Sequence, residues 1–349
     1  MLRQMPQEAA EGIERSGVEA WFEANVPDVV LPLEFERISG GRSNLTFAVT
    51  DAVGARWALR RPPLGKRLTS AHDMGREHKV ISALAPTPVP VAPTVALCAD
   101  ESVNGAPFFV MEFVDGPILR SQQEAVEAFD ETRRHAIGER VAETLVLIHE
   151  VDPDEVGIGD LGKRQDYVAR QLHRWQGQWE KSKTRDVPLI DDVHERLAAR
   201  IPDQGPATIV HGDYRLDNMI LSEDGEVAAV VDWELCTLGD PLADVGMLMV
   251  YWGEAGDELI PLADVPTTAP GFPGREHVKA RYAELSGRDL GEIDFYVALG
   301  YWRLAIILQG IIARVAAGQY GKDADDGSET AQYVQRLAEA ADEAERRLG

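Results

Sequence analysis

Residues 208–218 read Thr208-Ile209-Val210-His211-Gly212-Asp213-Tyr214-Arg215-Leu216-Asp217-Asn218, an apolar run followed by polar and charged residues. The second part has the pattern H-x-D-x-x-x-x-N directly after a predicted strand. An Asp and an Asn at this spacing suit phosphoryl transfer, because the Asp can accept or orient the proton of an acceptor hydroxyl. The Asn can offer an uncharged oxygen to a magnesium ion. The stretch therefore makes Asp213 and Asn218 candidate catalytic and metal-binding residues.

A second carboxylate follows at the end of a predicted hairpin. Residues 219–221 and 227–231 are apolar, and Asp224-Gly225 between them favours a tight turn. The returning strand would bring Asp232 beside Asn218, where it can bind the metal ion that bridges nucleotide phosphates. The alternative is that Asp213 and Asp232 only cap loops and that His211 is an ordinary core histidine. The combined spacing and hairpin context favour the catalytic interpretation.

With these motifs the sequence resembles the aminoglycoside phosphotransferase and choline kinase-like family, small-molecule relatives of the protein kinases, over nearly the whole chain. The resemblance implies an α+β, bilobal protein-kinase-like fold, with a small β-rich N-terminal lobe, a larger mainly helical C-terminal lobe and ATP between them. It also implies that Asp213 is the catalytic base and that Asn218 and Asp232 hold Mg2+. His211 is then expected to organise the loop rather than to transfer a proton.

The N-terminal third contains the parts that a nucleotide lobe needs. Ser39, Gly40, Gly41, Ser43 and Asn44 lie in a small-residue turn suited to close approach of phosphate, although an ordinary hairpin would look the same. On the next predicted strand Ala58 and Arg60 share a face, as the adenine-contacting Ala and the phosphate-contacting Lys do in kinases. Arg here replaces that Lys. Its planar fork carries the same charge but is not interchangeable with a lysine.

Three further positions complete the expected nucleotide site. Glu77, on a predicted helix, is the candidate carboxylate that orients Arg60, with a solvated helix glutamate as the alternative. Residues 111–114 resemble the hinge strand of kinases, whose backbone at Glu112 and Val114 would hydrogen-bond adenine. Arg61 should point to the opposite face of its strand and be exposed to solvent. The alternative is that Arg61 compensates for the missing lysine if the strand register slips by one residue.

Patterning along the chain predicts two domains, 1–114 for nucleotide binding and 115–349 for catalysis and acceptor binding. Asp115-Gly116-Pro117 is the candidate hinge between them. Strands are expected within 33–50, at 56–61 and at 107–114, and helices at 18–26 and 75–84. Later helices are expected at 137–149, 165–179, 193–201, 295–316 and 330–348.

Residues 157–162 match G-x-G-x-x-G, and 157–163 nearly complete a Walker A motif. A phosphate site of either kind needs a preceding strand and a helix that begins at the loop. The segment before it is turn-like, and Arg164 stands where Walker A needs Ser or Thr. These residues are therefore expected to form an interhelical loop.

Two other features are interpreted as structural. Asp244 is expected to fix the catalytic loop through hydrogen bonds to its backbone. Trp175 and Trp179 lie four residues apart on one predicted helical face, which favours packing, with a wall of the acceptor site as the alternative.

Composition narrows the possible partners. There are 35 basic and 59 acidic side chains, a formal net charge of −24, which argues against broad contact with nucleic acid. Two cysteines, Cys98 and Cys236, cannot build a disulfide framework or a four-thiolate zinc site. The N-terminus lacks a signal-like apolar core, and the apolar stretch 297–317 is interrupted by charged residues. A cytoplasmic protein without a membrane partner is the expectation.

The sequence thus predicts an ATP- and Mg2+-dependent phosphotransferase that acts on a hydroxyl group of a small-molecule acceptor. The acceptor class stays open between aminoglycosides and hydroxylated acyl metabolites. Residues 58–63 and 174–179 look most like the branch related to the kinase-like domain of certain acyl-CoA dehydrogenase family proteins, which favours the acyl metabolite. The competing hypothesis is a catalytically silent nucleotide-binding or scaffold protein of the same fold, motivated by Arg60 in the lysine position.

Overall fold

The structure is a computed structural model that describes residues 10–38, 44–64, 73–257, 259, 264–317 and 328–348. The chain divides into two compact units. The first contains residues 1–115 and 228–235, and the second contains residues 116–227 and 236–349. The sequence analysis placed the domain boundary after residue 114 and did not predict that residues 228–235 belong to the first unit.

The first unit is built around one antiparallel sheet with strand order β1-β2-β3-β5-β4. Its elements are α1 (Arg15–Asn25), β1 (Glu34–Arg37), β2 (Leu45–Thr50), β3 (Arg56–Arg61), α2 (Met74–Leu84), β4 (Thr94–Cys98), α3 (Glu101–Asn104) and β5 (Phe108–Glu112). The predicted strands and both predicted helices of this region are confirmed. Strand β4 and helix α3 were not predicted.

Both faces of this sheet are covered. On one face Phe47, Leu59 and Val110 pack with Phe22 of α1 in the core of the unit. On the other face, strand alternation places Ala58 and Arg60 toward α2. Because the first face is also covered, the expectation that Arg61 is exposed was wrong. Arg61 is buried and donates hydrogen bonds to the backbone oxygens of Pro62, Gly12 and Asn104.

The second unit is mainly helical. It contains α4 (Gln122–Ala128), α5 (Glu131–Glu150), α6 (Tyr167–Ser182), α7 (Pro188–Ala199), β6 (Thr208–Val210), β7 (Met219–Leu221), β9 (Thr237–Gly239), α8 (Leu242–Tyr251), α9 (Arg275–Ser286), α10 (Ile293–Ala316) and α11 (Ser328–Arg346). Strand β8 (Val227–Val230) begins at Val227, the last residue of the segment 116–227 of the second unit. Its remaining residues belong to the first unit. The predicted hairpin turn is confirmed, since the Ser222 amide donates to the Glu226 carbonyl at 2.9 Å.

Local sequence explains several helix starts. The side chain of Asp130 accepts a hydrogen bond from the Arg133 amide at the start of α5, and Asp73 does the same for the Arg76 amide at the start of α2. A carboxylate at this position satisfies an amide that has no partner within the helix. These caps fix where the two helices that support the candidate site begin.

Helix α10 is the most apolar element of the chain. Its 24 residues are long and apolar enough to cross a membrane by length and composition alone, but 61% of its most apolar window is buried inside the structure. It packs against α6, α8 and α11, and Gln309 within it is fully buried and donates to the Ser182 carbonyl. These contacts are those of a core helix.

Residues 157–162 form turns between α5 and α6, as expected. No strand precedes them in this fully described stretch, and α6 begins only at Tyr167. Arg164 is paired with Asp154 at 2.6 Å, which closes the loop on itself. The resemblance to a phosphate-binding loop is therefore confined to the sequence.

Candidate active site

The first unit holds a cluster of three carboxylates around a single guanidinium. Arg60 Nε donates to Glu77 Oε2 at 2.9 Å, and Arg60 Nη2 lies 2.5 Å from Asp232 Oδ1 and 4.0 Å from Glu234 Oε2. The structure thus places Glu77 in contact with Arg60, as the sequence analysis expected of the helix carboxylate. Glu234 was not singled out by the sequence, because its position depends on the turn that follows Asp232.

Burial makes this cluster electrostatically strong. The side chains of Arg60 and Glu77 are 11% and 2% exposed. Burial lowers the pKa of the Arg60 guanidinium, but the charges of Glu77, Asp232 and Glu234 outweigh burial and raise the pKa above its ordinary value. For Glu77, burial raises the pKa of the carboxyl and prevails over the lowering effect of Arg60. Arg60 therefore stays positively charged, and the three carboxylates share its guanidinium.

Asp232 adopts an uncommon backbone conformation. Its φ is 68°, in the left-handed region that few residues other than glycine occupy. The residue lies between β8 and the 3-10 turn Trp233–Leu235, and this turn packs against α2. The Trp233 indole anchors the turn by donating to the Val230 carbonyl at 2.9 Å. A strained residue at a site of converging charge is typical of a functional position.

The structure places the other expected nucleotide residues as follows. Ala58 is buried on the same face of β3 as Arg60. Asn44 is buried, and its amide donates to Glu234 Oε2 at 2.8 Å. The Glu112 amide donates to the Pro93 carbonyl, so a contact of Glu112 with adenine could use only its own carbonyl. Val114 lies two residues after the end of β5. Ser39, Gly40, Gly41 and Ser43 lie outside the described residues.

The second unit brings Asp213 and Asn218 together. The Asn218 side-chain amide donates to the Asp213 carbonyl at 2.9 Å and to its carboxylate at 3.1 Å, which leaves Asn218 Oδ1 as the atom that can serve a cation. The Asp213 side chain is 24% exposed, so a substrate can reach it. His211 is fully buried, and its Nδ1 accepts the Asp213 amide hydrogen at 3.2 Å. These contacts suit a histidine that organises the loop.

Asp244 fixes this loop from beneath, as the sequence analysis expected. Its two carboxylate oxygens accept the amides of His211 and Gly212 at 2.6 and 2.8 Å. Burial raises the pKa of the Asp244 carboxyl, but His149 and the other donors outweigh burial and hold the pKa below its usual range. His149 Nε2 lies 3.4 Å from Asp244, and its Nδ1 lies 2.8 Å from the Tyr282 hydroxyl. Buried contacts that run from Tyr282 through His149 to Asp244 thus hold the backbone of the catalytic loop in place.

Two arginines near the loop were missed by sequence reasoning. Arg303 of α10 donates to the Gly212 carbonyl at 2.8 Å and lies over the ring of Trp175. Arg215 lies 3.4 Å from Asp213 and 2.9 Å from Asp217. In the sequence, Arg303 only interrupts an apolar stretch, and its partner is 91 positions away. Trp179 is fully buried, which confirms packing for that residue.

The donor atoms around Arg60 fit a magnesium ion. Around Arg60 three carboxylates face one guanidinium, a formal charge of −2 that a divalent cation would balance. Carboxylate and amide oxygens are the ligands that Mg2+ prefers. Asp232 in the first unit and Asn218 in the second each offer an oxygen ligand of this kind, not the nitrogen or sulfur ligand that favours a softer metal.

Comparison with known proteins agrees with this arrangement. A model of the phosphotransferase enzyme family matches residues 34–296, and the chain belongs to that family. Mouse acyl-CoA dehydrogenase family member 10 is 36% identical over 313 residues, which cover 88% of this chain and 28% of that protein. The chain thus spans little more than a quarter of the length of this relative. The match confirms the expected branch.

Solved structures confirm the kinase-like fold. A Ralstonia eutropha protein assigned to the aminoglycoside phosphotransferases is 34% identical, with a TM-score of 0.81, and the match covers 96% of this chain and 99% of that one. A thermostable aminoglycoside phosphotransferase APH(4)-Ia, in complex with AMP-PNP and hygromycin B, is 18% identical with a TM-score of 0.61 over 94% and 98% of the two chains. The second match shows the fold alone.

Proposed function

We propose that this protein is an ATP- and Mg2+-dependent phosphotransferase that transfers the γ-phosphoryl group to a hydroxyl of a small molecule. The observation that carries the proposal is the catalytic loop, in which a partly exposed Asp213 carboxylate is bonded to Asn218 and the backbone is fixed by Asp244. Family membership supports the reaction class. The nucleotide in APH(4)-Ia, a protein of the same fold, supports ATP as the donor.

Each residue has a defined part in this reaction. Asp213 accepts the proton of the acceptor hydroxyl while that oxygen forms its bond to the γ-phosphorus and the bond to the ADP oxygen breaks. The products are the phosphorylated acceptor, ADP and one proton. Arg60 offers two donors to the nucleotide phosphates, as arginine can. Asp232 and Asn218 would each offer an oxygen to Mg2+, which would neutralise phosphate charge. Positioning and charge compensation account for most of the rate.

The test uses Asp213→Asn, Asp232→Asn and the control Asp224→Asn, which changes an 88% exposed turn carboxylate paired only loosely with Arg133. ATP binding with and without Mg2+ is measured by calorimetry. Product formation is screened with hydroxyacyl compounds and aminoglycosides. We expect Asp232→Asn to lose Mg2+-dependent nucleotide binding, and Asp213→Asn to bind Mg-ATP normally while turnover falls at least ~1,000-fold, as for a reaction that depends on its base.

The outcomes separate the two hypotheses. Full activity in both variants would refute the assigned roles. Mg2+-dependent nucleotide binding without transfer to any acceptor would instead support the catalytically silent protein. Asp224→Asn should behave as the wild type in both assays, because its carboxylate lies in solvent.

A further inference from the structure

A second group of metal-ligating side chains lies on the second unit, between α5 and α9. It consists of His135 and Glu139 on α5 and His277 on α9, and one ligand atom from each lies within 4.8 Å of the other two. His277 Nε2 is 3.2 Å from Glu139 Oε1, and the two imidazole rings have centroids 5.1 Å apart. None of these residues takes part in the proposed phosphoryl transfer.

Helix geometry explains why these residues converge. His135 and Glu139 are four residues apart and therefore lie on one face of α5. Two further contacts hold α9 along the same face, since Arg281 pairs with Glu143 at 2.7 Å and the Tyr282 hydroxyl lies 2.8 Å from His149. The register of the two helices is thus set independently of the histidines. The packing of the two helices therefore brings the three side chains together.

The start of α9 is also held closely against α5. A Cβ at Gly138 would lie 2.4 Å from the Pro273 ring, so only glycine permits this approach. Pro273 lies two residues before the start of α9, and His277 lies in the first turn of that helix. Ligands on rigid elements lose little freedom when a metal binds, which favours affinity.

The geometry points to a transition-metal site here, with Zn2+ as its ion and His135, Glu139 and His277 as ligands. In tetrahedral zinc sites with bonds of about 2.0–2.1 Å, neighbouring ligand atoms are roughly 3.3 Å apart. The 3.2 Å between His277 and Glu139 already has this value. Two imidazoles and a carboxylate are a common zinc ligand set, whereas Mg2+ prefers oxygen ligands alone.

The ion would remain open to solvent. The Glu139 and His277 side chains are 36% and 45% exposed, and His135 is exposed. Three protein ligands leave at least one coordination position for water. Such an ion joins α5 and α9 at one end, while His149 and Tyr282 join them at the other. Because His149 supports Asp244, the site would stiffen the scaffold beneath the catalytic loop.

The experiment uses the untagged full chain, stripped of metal with a chelator and kept in excess Mg2+ so that oxygen-only sites are filled. Zn2+ is titrated by calorimetry, and Co2+ is used as a coloured probe of imidazole coordination. The variants are His135→Ala and His277→Ala, with His173→Ala as the matched control, since His173 is an exposed histidine on α6. Melting curves without metal verify that all variants fold.

We expect one Zn2+ per chain, a Tm that rises with Zn2+ concentration, and visible Co2+ absorption bands. Each ligand variant should bind Zn2+ at least ~10-fold more weakly and lose those bands, because removing even an outer partner of a metal ligand weakens affinity by this much. His173→Ala should match the wild type. Zn2+ binding that is absent, or equally strong in the two ligand variants, would overturn the assignment.

Discussion

Replacing Arg60 with methionine tests most directly whether its guanidinium holds the three surrounding carboxylates together. The substitution keeps the length of the side chain but leaves Glu77, Asp232 and Glu234 without their shared cation. Removing one partner of a buried ion pair costs about 3–5 kcal/mol, since the remaining charge stays desolvated. The side chains are 2–27% exposed, so solvent screens little of this effect. We therefore expect Arg60→Met to lose most of that amount at pH 7.

This loss of stability corresponds to a decrease in the melting temperature. The first unit has about 120 residues, and an unfolding entropy of ~2.1 cal/mol/K per residue gives ~0.25 kcal/mol/K. Arg60→Met should then lower the Tm of this unit by roughly 12–20 °C if the unit unfolds alone, or by about 4–7 °C if the whole chain unfolds together. Scanning calorimetry with Mg2+ present and absent measures both the shift and its rescue.

Mg2+ should raise the Tm of Arg60→Met more than that of the wild type, because it replaces the missing positive charge. Arg56→Met on the same strand is the control; its ion pair with Asp115 is 40% and 76% exposed and should matter by less than ~1 kcal/mol. If Arg60→Met is as stable as this control, or Mg2+ stabilises it no more than the wild type, the carboxylate cluster is not held by Arg60 and the reasoning fails.

Three further results are expected. Burial lowers the pKa of His149 below its unfolded value of about 6.5. The neutral imidazole therefore stabilises the fold fully above that pH, and this stability is lost below it by up to ~1.4 kcal/mol per pH unit. Between pH 6.5 and 5.5, the free energy of unfolding measured in urea should fall less for His149→Gln than for the wild type. Arg303→Met removes the donor to Gly212 and should lower kcat about tenfold, roughly 1.4 kcal/mol, with the nucleotide Kd unchanged in calorimetry. Trp179→Ala empties a fully buried position and should cost about 3–5 kcal/mol in denaturant unfolding, whereas a stability near that of the wild type would contradict the packing role.

The sequence predicted the parts of the site that are local in the chain. Asp213 and Asn218 lie in one short loop, so their spacing already determines that their side chains can meet. The pairing of Arg60 with Glu77 followed from strand alternation together with the family resemblance. In contrast, Glu234 and Arg303 act through partners that are distant in sequence, and no local pattern marks them.

Missed elements have a similar physical explanation. Helix α8 is buried nearly all round, so its apolar residues show no helical period. Helix α9 buries only Val278 and Tyr282, which leaves too few apolar residues for a periodic signal. Both helices are nonetheless part of the site, because α8 carries Asp244 and α9 carries the hydroxyl that meets His149.

Arg61 shows why alternation alone could not settle exposure. Period-two patterning correctly separates Arg60 and Arg61 onto opposite faces of β3, but it carries no information on whether the second face meets solvent or another element. Here α1 covers that face with Phe22, and Arg61 becomes a buried donor to the carbonyls of Gly12 and Asn104. A buried charge is tolerated only where such acceptors exist. Arg61 therefore binds the chain ahead of α1 to the sheet, and its structural role keeps it from replacing Arg60 on the other face of β3.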